Sequence, residues 1–341
     1  EFVNKASEWN NKELVDYIYK DEDSVAKQWI DRGADGWRLD VAADLGHSPE
    51  FNHKFWKRFR DRVKQANPNA IILAEHYGDA HSWLMGDQWD TVMNYDAFMD
   101  PVTWFLTGVD KHSDNANPYM RGNGEVFHNT MQYQLSRMQN QSILVAMNEL
   151  SNHDHSRFMT RTNKMVGRIG TVGAAAAAEN IDKAIFKQGV IMQMTLPGAP
   201  TLYYGDEAGV CGWTDPDNRR TYPWGKEDLE LLEFYREAIC VHKQNQPLKD
   251  GSYMLLIADT DLVCYGRFNE NDSVLTVINT SDIDKEISVP VWKLGRSVSQ
   301  WERLLESSRE FYNCGRIIYE VEDGSLNLTV KGNSGSIYRN K

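Results

Sequence analysis

Helical and strand-like hydrophobic patterns alternate along the first two-thirds of the chain. Apolar runs of strand length lie at residues 36–39, 70–74, 91–95, 146–150 and 200–204. Amphipathic or helix-favouring stretches lie at residues 12–32, 51–63, 97–106, 125–140 and 227–242, and a further helical segment ends near residue 194. This alternation is typical of repeated β/α units around a parallel sheet, so it predicts an α/β fold.

The number of strands predicts an incomplete barrel. The pattern contains about five β/α units, whereas a closed (β/α)8-type barrel needs eight. A single helical stretch precedes the first strand. We therefore expect residues 1–247 to form only the second part of a catalytic barrel, from its fourth to its eighth strand.

From about residue 248 the pattern changes to short β-type runs. They are separated by Asn, Asp, Gly and Ser, which is typical of a small antiparallel sandwich. We predict a C-terminal antiparallel β-sandwich domain over residues 248–341.

Charge and hydropathy narrow the choice of partner and location. The formal net charge of −12 argues against nucleic acid or an anionic membrane surface. Neutral sugars remain compatible, and the 11 Trp and 15 Tyr residues provide flat faces for sugar rings. No apolar run approaches the ~20 residues of a membrane span, and no secretory signal opens the chain. We expect a cytoplasmic protein, with secretion left open because we expect the natural N-terminus to be missing.

Three acidic residues follow strand-like runs, namely Asp40, Glu75 and Asp154. A parallel barrel gathers residues from the C-terminal ends of its strands around one mouth. Retaining glycoside hydrolysis needs one carboxylate as nucleophile and one carboxylic acid that protonates the leaving oxygen. The three acids indicate this chemistry. It requires two of their carboxyl groups to lie about 5–5.5 Å apart, with the third beside them.

At these residues the chain resembles the α-amylase family of glycoside hydrolases, particularly its neopullulanase, cyclomaltodextrinase and maltogenic-amylase branch. The segments that carry the resemblance are DGWRLDVA, AEHYGDAHSWLMGDQWDTVMNY, LSNHDHSRF, GAPTLYYGDEAGV and DPDNRRTYPW. The resemblance implies a retaining hydrolase that cleaves α-1,4 linkages, with α-1,6 cleavage left open. Its substrates would be maltooligosaccharides, cyclodextrins, pullulan or starch fragments.

The resemblance also implies a role for each matched residue. Asp40 would be the nucleophile, Glu75 the general acid/base, and Asp154 the third acid, which grips two sugar hydroxyls. Arg38 points the same way as Asp40 in a strand of period two, where its charge would pair with the nucleophile. The residues expected to bind substrate are Arg38, His153, Asp215 and Arg219.

Two departures from the family pattern limit this interpretation. Ala43 and Asp44 stand where α-amylases carry Lys-His and the cyclomaltodextrinase branch carries Asn-Glu. The lysine that binds on the leaving-group side is therefore absent, which argues against a strict α-amylase. The family's early Asn-His segment, which includes a calcium ligand in many members, also has no counterpart. We predict no metal and no cofactor.

Other functions on this scaffold stay open at this point. A glucan transglycosylase or transferase would use the same three acids. An inactive fragment or a non-catalytic scaffold is the alternative outside catalysis. An incomplete barrel would expose strand edges and apolar interior, which are costly in water. We therefore expect a homodimer, or a missing N-terminal half that completes the barrel.

Overall fold

The computed structural model describes residues 12–46, 48–295 and 298–341. The α-helices in these ranges are, in chain order, α1 (Lys12–Val15), α2 (Val25–Asp31), α3 (Pro49–Ala66), α4 (Asp100–Thr107), α5 (Gly124–Ser136), α6 (Asn140–Leu144), α7 (Phe158–Arg161), α8 (Ile169–Val172), α9 (Lys183–Thr195), α10 (Leu229–Gln244) and α11 (Gln246–Asp250). Two segments are π-helical: Asp16–Lys20 follows α1, and Tyr95–Met99 leads into α4. Within the described ranges, no helix is both long and apolar enough to span a membrane.

The strands fall into a short early series and a longer late series. The early strands are β1 (Gly36–Leu39), β2 (Ile71–Ala74), β3 (Thr91–Val92), β4 (Met147–Asn148) and β5 (Ala199–Pro200). The late strands are β6 (Ser252–Asp259), β7 (Leu262–Phe268), β8 (Ser273–Asn279), β9 (Lys285–Val289), β10 (Gln300–Ser307), β11 (Tyr312–Asn313), β12 (Ile317–Glu322), β13 (Ser325–Val330) and β14 (Ser334–Asn340). The chain forms two compact units, one of residues 1–94 and 134–147, the other of residues 95–133 and 148–341.

The first unit contains the parallel sheet β1-β2-β3. Its register pairs Gly36 with Ile71 and Leu39 with Ala74. A Cβ atom at Gly36 would lie 2.2 Å from the Ile71 carbonyl oxygen, so only glycine allows this close approach. The sheet thus confirms the parallel pairing that the hydrophobic pattern predicts.

Helix α3 covers this sheet because its apolar residues recur at helical spacing. Ser48 caps its N-terminus by accepting a hydrogen bond from the Phe51 N–H at 3.2 Å. A proline follows at the first helical position, where its missing N–H costs nothing. The buried face of α3 belongs to the hydrophobic core of the first unit. The large members of that face are Phe51, Phe55, Trp56, Phe59 and Val63.

The second unit combines a buried helix with an antiparallel sheet. Every residue of α9 from Ala184 to Thr195 is buried, and this helix packs against α4, α10 and β14. The late strands are joined in the order β6-β7-β8-β14-β10-β12-β13-β9, with β11 paired to β10, and their pairs are antiparallel as predicted. Strands from both ends of this path, such as β7 and β9, share one hydrophobic core.

Several expected boundaries are wrong. The helix predicted over residues 12–32 is not continuous, because the polar residues from Asp21 to Ser24 form a turn between its two parts. The N–H of Ser24 donates to the carbonyl of Asp21 at 3.1 Å and closes this turn. The helix predicted over 125–140 ends at Ser136 and a separate helix, α6, follows. Strands β3, β4 and β5 have two residues each, because the chain leaves the sheet early for the loops described next. The domain boundary near residue 247 stays a prediction.

Candidate active site

Parallel pairing brings two of the predicted acids to adjacent strand ends in the first unit. Leu39 is the partner of Ala74, so Asp40 and Glu75 are the first residues beyond the paired ends. The backbone continues the ladder there: Glu75 N–H donates to the Leu39 carbonyl (2.8 Å), and Ala42 N–H donates to the Glu75 carbonyl (3.2 Å). Carboxylates that lie 35 positions apart in the sequence therefore meet at one edge of the sheet.

The guanidinium of Arg38 joins these two carboxylates. Its Nη1 lies 2.5 Å from Asp40 Oδ1, and its Nη2 lies 3.1 Å from Glu75 Oε2. The Glu75 side chain is buried, whereas that of Asp40 is 78% exposed. Because one cation faces two carboxylates, their mutual repulsion is offset and both are held in place.

Val41, the residue after Asp40, has a strained backbone. Its φ of 41° lies in the left-handed region, which a β-branched residue rarely adopts. This conformation directs the Val41 N–H to Glu75 Oε2 at 3.1 Å, a second contact on the buried carboxylate after that of Arg38. Strain of this kind is concentrated at functional sites in proteins.

The other four predicted residues form one cluster in the second unit. His153 Nε2 lies 3.3 Å from Asp154 Oδ2. Arg219 Nε is 2.8 Å from Asp215 Oδ1 and donates to the His153 carbonyl at 3.1 Å. Its Nη2 lies 3.9 Å from Asp154 Oδ1. The structure therefore unites Asp154 with the residues of the DPDNRR segment, about 60 positions later in the chain.

Two asparagines hold the loop that carries Asp154. Asn152 Oδ1 accepts hydrogen bonds from the N–H groups of Asp154 and His155, each at 3.0 Å. Asn218 Nδ2 donates to the carbonyls of Asn152 (3.0 Å) and His155 (2.8 Å). Burial lowers the pKa of His155 to about 2, so its imidazole carries no charge at pH 7.

Arg157 is a site residue that sequence reasoning did not assign. Its side chain is fully buried. Its Nε donates to the Asn218 carbonyl (2.8 Å), and its Nη1 donates to the Tyr204 carbonyl (2.6 Å) and pairs with Asp206 Oδ1 (2.9 Å). Its guanidinium also lies 3.9 Å from the centre of the Tyr203 ring. Arg157 thus links the Asp154 loop to two later loops, and only its place three residues after Asp154 hinted at this.

The residues that the structure describes include no candidate metal-binding site. No group of three or more His, Cys, Asp or Glu residues is arranged there to hold a metal ion. The expectation of a metal-free and cofactor-free protein stays a prediction.

Comparison with known proteins shows which family the chain resembles. Residues 4–250 match the alpha amylase catalytic domain. The chain is 33% identical to an amylopullulanase of Thermoanaerobacter thermohydrosulfuricus, covering 96% of this chain and 23% of the relative. It is 35% identical to a cyclomaltodextrinase of Thermoanaerobacter pseudethanolicus, covering 80% of this chain and 41% of the relative.

A solved structure supports the same relationship. The debranching enzyme of Nostoc punctiforme superposes with a TM-score of 0.76 at 29% identity, covering 96% of this chain and 62% of that one. The chain spans less than half the length of the two curated relatives above. Since the family match extends over residues 4–250 of this chain, the chain belongs to the alpha-amylase catalytic-domain family.

Proposed function

We propose that the protein is a retaining glycoside hydrolase that cleaves α-glucosidic linkages in maltooligosaccharides, cyclodextrins, pullulan or starch fragments. The linkage is α-1,4, with α-1,6 as a second candidate. The observation that carries the proposal is the Arg38 guanidinium bound to both Asp40 and Glu75 at the ends of two paired parallel strands. The names of the relatives, which include cyclomaltodextrinase and neopullulanase, support the substrate class.

The proposed mechanism uses the two carboxyl groups in turn. Glu75, as a carboxylic acid, gives its proton to the glycosidic oxygen while the Asp40 carboxylate attacks the anomeric carbon and the leaving sugar departs. Glu75, now a carboxylate, takes a proton from water, whose oxygen attacks the same carbon and frees Asp40. Arg38 holds Asp40 ready for attack by charge pairing.

The second-unit cluster has a binding role in this proposal. Asp154 accepts hydrogen bonds from two hydroxyls of the reacting sugar, and His153 donates to the same sugar. Asp215 and Arg219 hold the next sugar toward the non-reducing end. Their mutual ion pair of 2.8 Å fixes both groups before a ligand arrives, which lowers the cost of ordering them on binding.

We further propose that this chain forms only part of a barrel, which a partner completes. Residues 1–247 would supply the fourth to eighth strands of a (β/α)8-type barrel, and residues 248–341 a β-sandwich. Within the described ranges β1 pairs with β2 alone, and the nucleophile beside it is 78% exposed. Both observations support completion of the barrel by a second copy or by an N-terminal half. A cytoplasmic location stays a prediction that cell fractionation can test.

The first test is the substitution Asp40→Asn in the full-length parent protein. Asparagine keeps the shape of the side chain but cannot form the glycosyl ester, so turnover of maltotriose, pullulan and cyclodextrin should fall by about 10⁴-fold or more, an effect of at least ~5 kcal/mol on the barrier. The melting temperature should stay within a few degrees of the parent. Asp61→Asn, an exposed carboxylate on α3, is the matched control.

Two outcomes would contradict the proposal. Retained activity of Asp40→Asn would show that another residue is the nucleophile. Release of a product with inverted anomeric configuration, seen by NMR in the first minutes, would exclude the retaining mechanism. Transfer products in place of free sugars would instead favour the transglycosylase alternative.

A further inference from the structure

Four aromatic residues of the second unit lie in two contacting pairs, which we call the aromatic strip. The rings of Tyr203 and Tyr204 are 4.8 Å apart at 68°. Those of Tyr222 and Trp224 are 4.5 Å apart at 49°. Trp224 is 81% exposed and Tyr204 is 42% exposed, so the strip presents apolar ring faces to solvent.

Polar contacts join the two pairs into one surface. The Tyr204 hydroxyl donates to the Arg220 carbonyl at 2.8 Å. The Glu207 carboxylate accepts from the Gly205 N–H at 2.9 Å, and desolvation together with the charge of this carboxylate raises the pKa of the Tyr222 phenol. The contact between Tyr204 and Arg220 therefore joins the segments 203–207 and 220–224.

The exposed indole is held on a short, fixed turn. Trp224 N–H donates to the Tyr222 carbonyl (3.0 Å), and Lys226 N–H donates to the Pro223 carbonyl (2.8 Å). Gly225, with φ of 72°, supplies the left-handed residue that closes the turn. A single exposed aromatic residue needs no explanation. A preordered group of four, with its largest member most exposed, loses little entropy on binding a flat ligand.

We propose that the aromatic strip is a binding site for a glucose ring of an α-glucan chain, beyond the sugars held at the acids. This inference rests on the function proposed above. A pyranose ring offers apolar C–H faces for stacking and hydroxyls for hydrogen bonds, and the charged residues Glu207 and Arg220 belong to the same two segments as the rings. The three-residue step from Arg219 to Tyr222 spans at most about 11 Å, so one oligosaccharide can contact Arg219 and the strip together.

The test measures binding without turnover, in the full-length protein carrying Asp40→Asn. Calorimetric titration gives Kd for maltoheptaose and for maltose. Trp224→Ala and Tyr222→Ala should each raise the Kd for maltoheptaose by about fivefold or more, as expected for loss of one stacked apolar face. The effect on maltose should be smaller, because a disaccharide held at the acids does not extend to the strip.

Two further variants make the result specific. Trp292→Ala removes another indole of the second unit, 61% exposed, and should leave both Kd values unchanged. Trp224→Phe keeps a stacking face and should retain most of the affinity, which also excludes misfolding as the cause of a loss.

The possible outcomes distinguish failure of the aromatic-strip proposal from failure of the proposed hydrolase function. Unchanged maltoheptaose affinity in Trp224→Ala and Tyr222→Ala, while the protein that carries Asp40→Asn alone binds normally, would overturn the proposed role of the aromatic strip and leave the proposed hydrolase intact. Failure of the protein that carries Asp40→Asn alone to bind any α-glucan would overturn both proposals. If Trp292→Ala lowers the affinity for maltoheptaose equally, exposed indoles bind the ligand non-specifically, and this outcome would also overturn the proposed role of the aromatic strip.

Discussion

At the residue scale, the chemistry depends on contacts of a few atoms. Arg38 touches Asp40 and Glu75 with different nitrogens, a geometry that a planar guanidinium allows and an ammonium does not. The strained Val41 adds a backbone donor to Glu75. Each of the three contacts fixes an oxygen that the proposed reaction uses.

Ala43 permits a prediction about linkage preference. It lies in the 3₁₀ turn Ala42–Asp44, and its carbonyl accepts from Asn52 Nδ2 at 2.6 Å. That contact uses backbone, so a longer side chain at 43 leaves it intact. Ala43→Lys restores a cation on the leaving-group side. It should raise the ratio of kcat/KM on long α-1,4 chains to kcat/KM on pullulan by about fivefold, for an interaction of ~1 kcal/mol.

The control for this prediction is Ala43→Met. Methionine has a similar length without the charge, so it should leave the ratio near that of the parent. An equal change in both variants would assign the effect to side-chain bulk, and no change in Ala43→Lys would contradict the idea.

At the element scale, Asp90 ties helix α3 to strand β2. Its carboxylate is 2.7 Å from Arg60 Nη1 and 2.9 Å from Lys64 Nζ, both on α3. It also accepts from the Ile72 N–H of β2 at 2.8 Å. Burial alone would raise the pKa of Asp90. The hydrogen bonds from Lys64, Arg60 and Ile72 outweigh it, and the pKa is lowered from its ordinary value of 3.8.

The stability of the first unit should depend on Asp90. Because the pKa is lowered in the folded state, the ionised carboxylate stabilises the fold above about pH 3.8, and this contribution is lost as pH falls further. Asp90→Asn should cost about 1–3 kcal/mol at pH 7, with a smaller difference from the parent below pH 3.8. Thermal unfolding followed by circular dichroism across this range measures both.

Asp87, which also forms an ion pair with helix α3, provides the comparison. It pairs with Lys57 of α3 at 2.7 Å, but both side chains are about half exposed. A surface pair of this kind contributes at most about 1 kcal/mol, so Asp87→Asn should change the melting temperature little. Equal effects of the two substitutions would show that burial of Asp90 is unimportant.

At the scale of the whole molecule, the question is whether the 341-residue chain is active alone. We expect it either to form dimers or to need a further segment, and to be a poor catalyst by itself. The reasons are that, among the residues that the structure describes, β1 pairs with β2 alone, and that Asp40 is exposed. Light scattering gives the mass in solution, and an assay beside the full-length parent gives the activity. A stable monomer with the activity of the parent would show that the strand count was misread.

The sequence by itself determined the strand positions and the family. Short apolar runs and local motifs are properties of neighbouring residues, so the first four early strands lie within their predicted runs, although β3 and β4 are shorter. Strand β5 (Ala199–Pro200) overlaps its predicted run, 200–204, only at Pro200. The seven site residues belong to the same local motifs. Hydrophobic spacing alone did not predict the break after Lys20 or the early end of α5. At such positions the helical and turn conformations differ little in free energy, so the spacing of apolar residues does not decide between them.

Tertiary structure alone decided how these residues contact one another. Arg38 reaches Glu75 only because β1 and β2 pair in one register. Arg157 contacts groups 47 to 61 positions later in the chain, and the aromatic strip combines two separate segments. No local pattern encodes such pairs, since their formation depends on chain folding that brings distant residues within a few ångströms. The sequence therefore identifies the chemical groups of the candidate site, and the fold determines which of these groups contact one another.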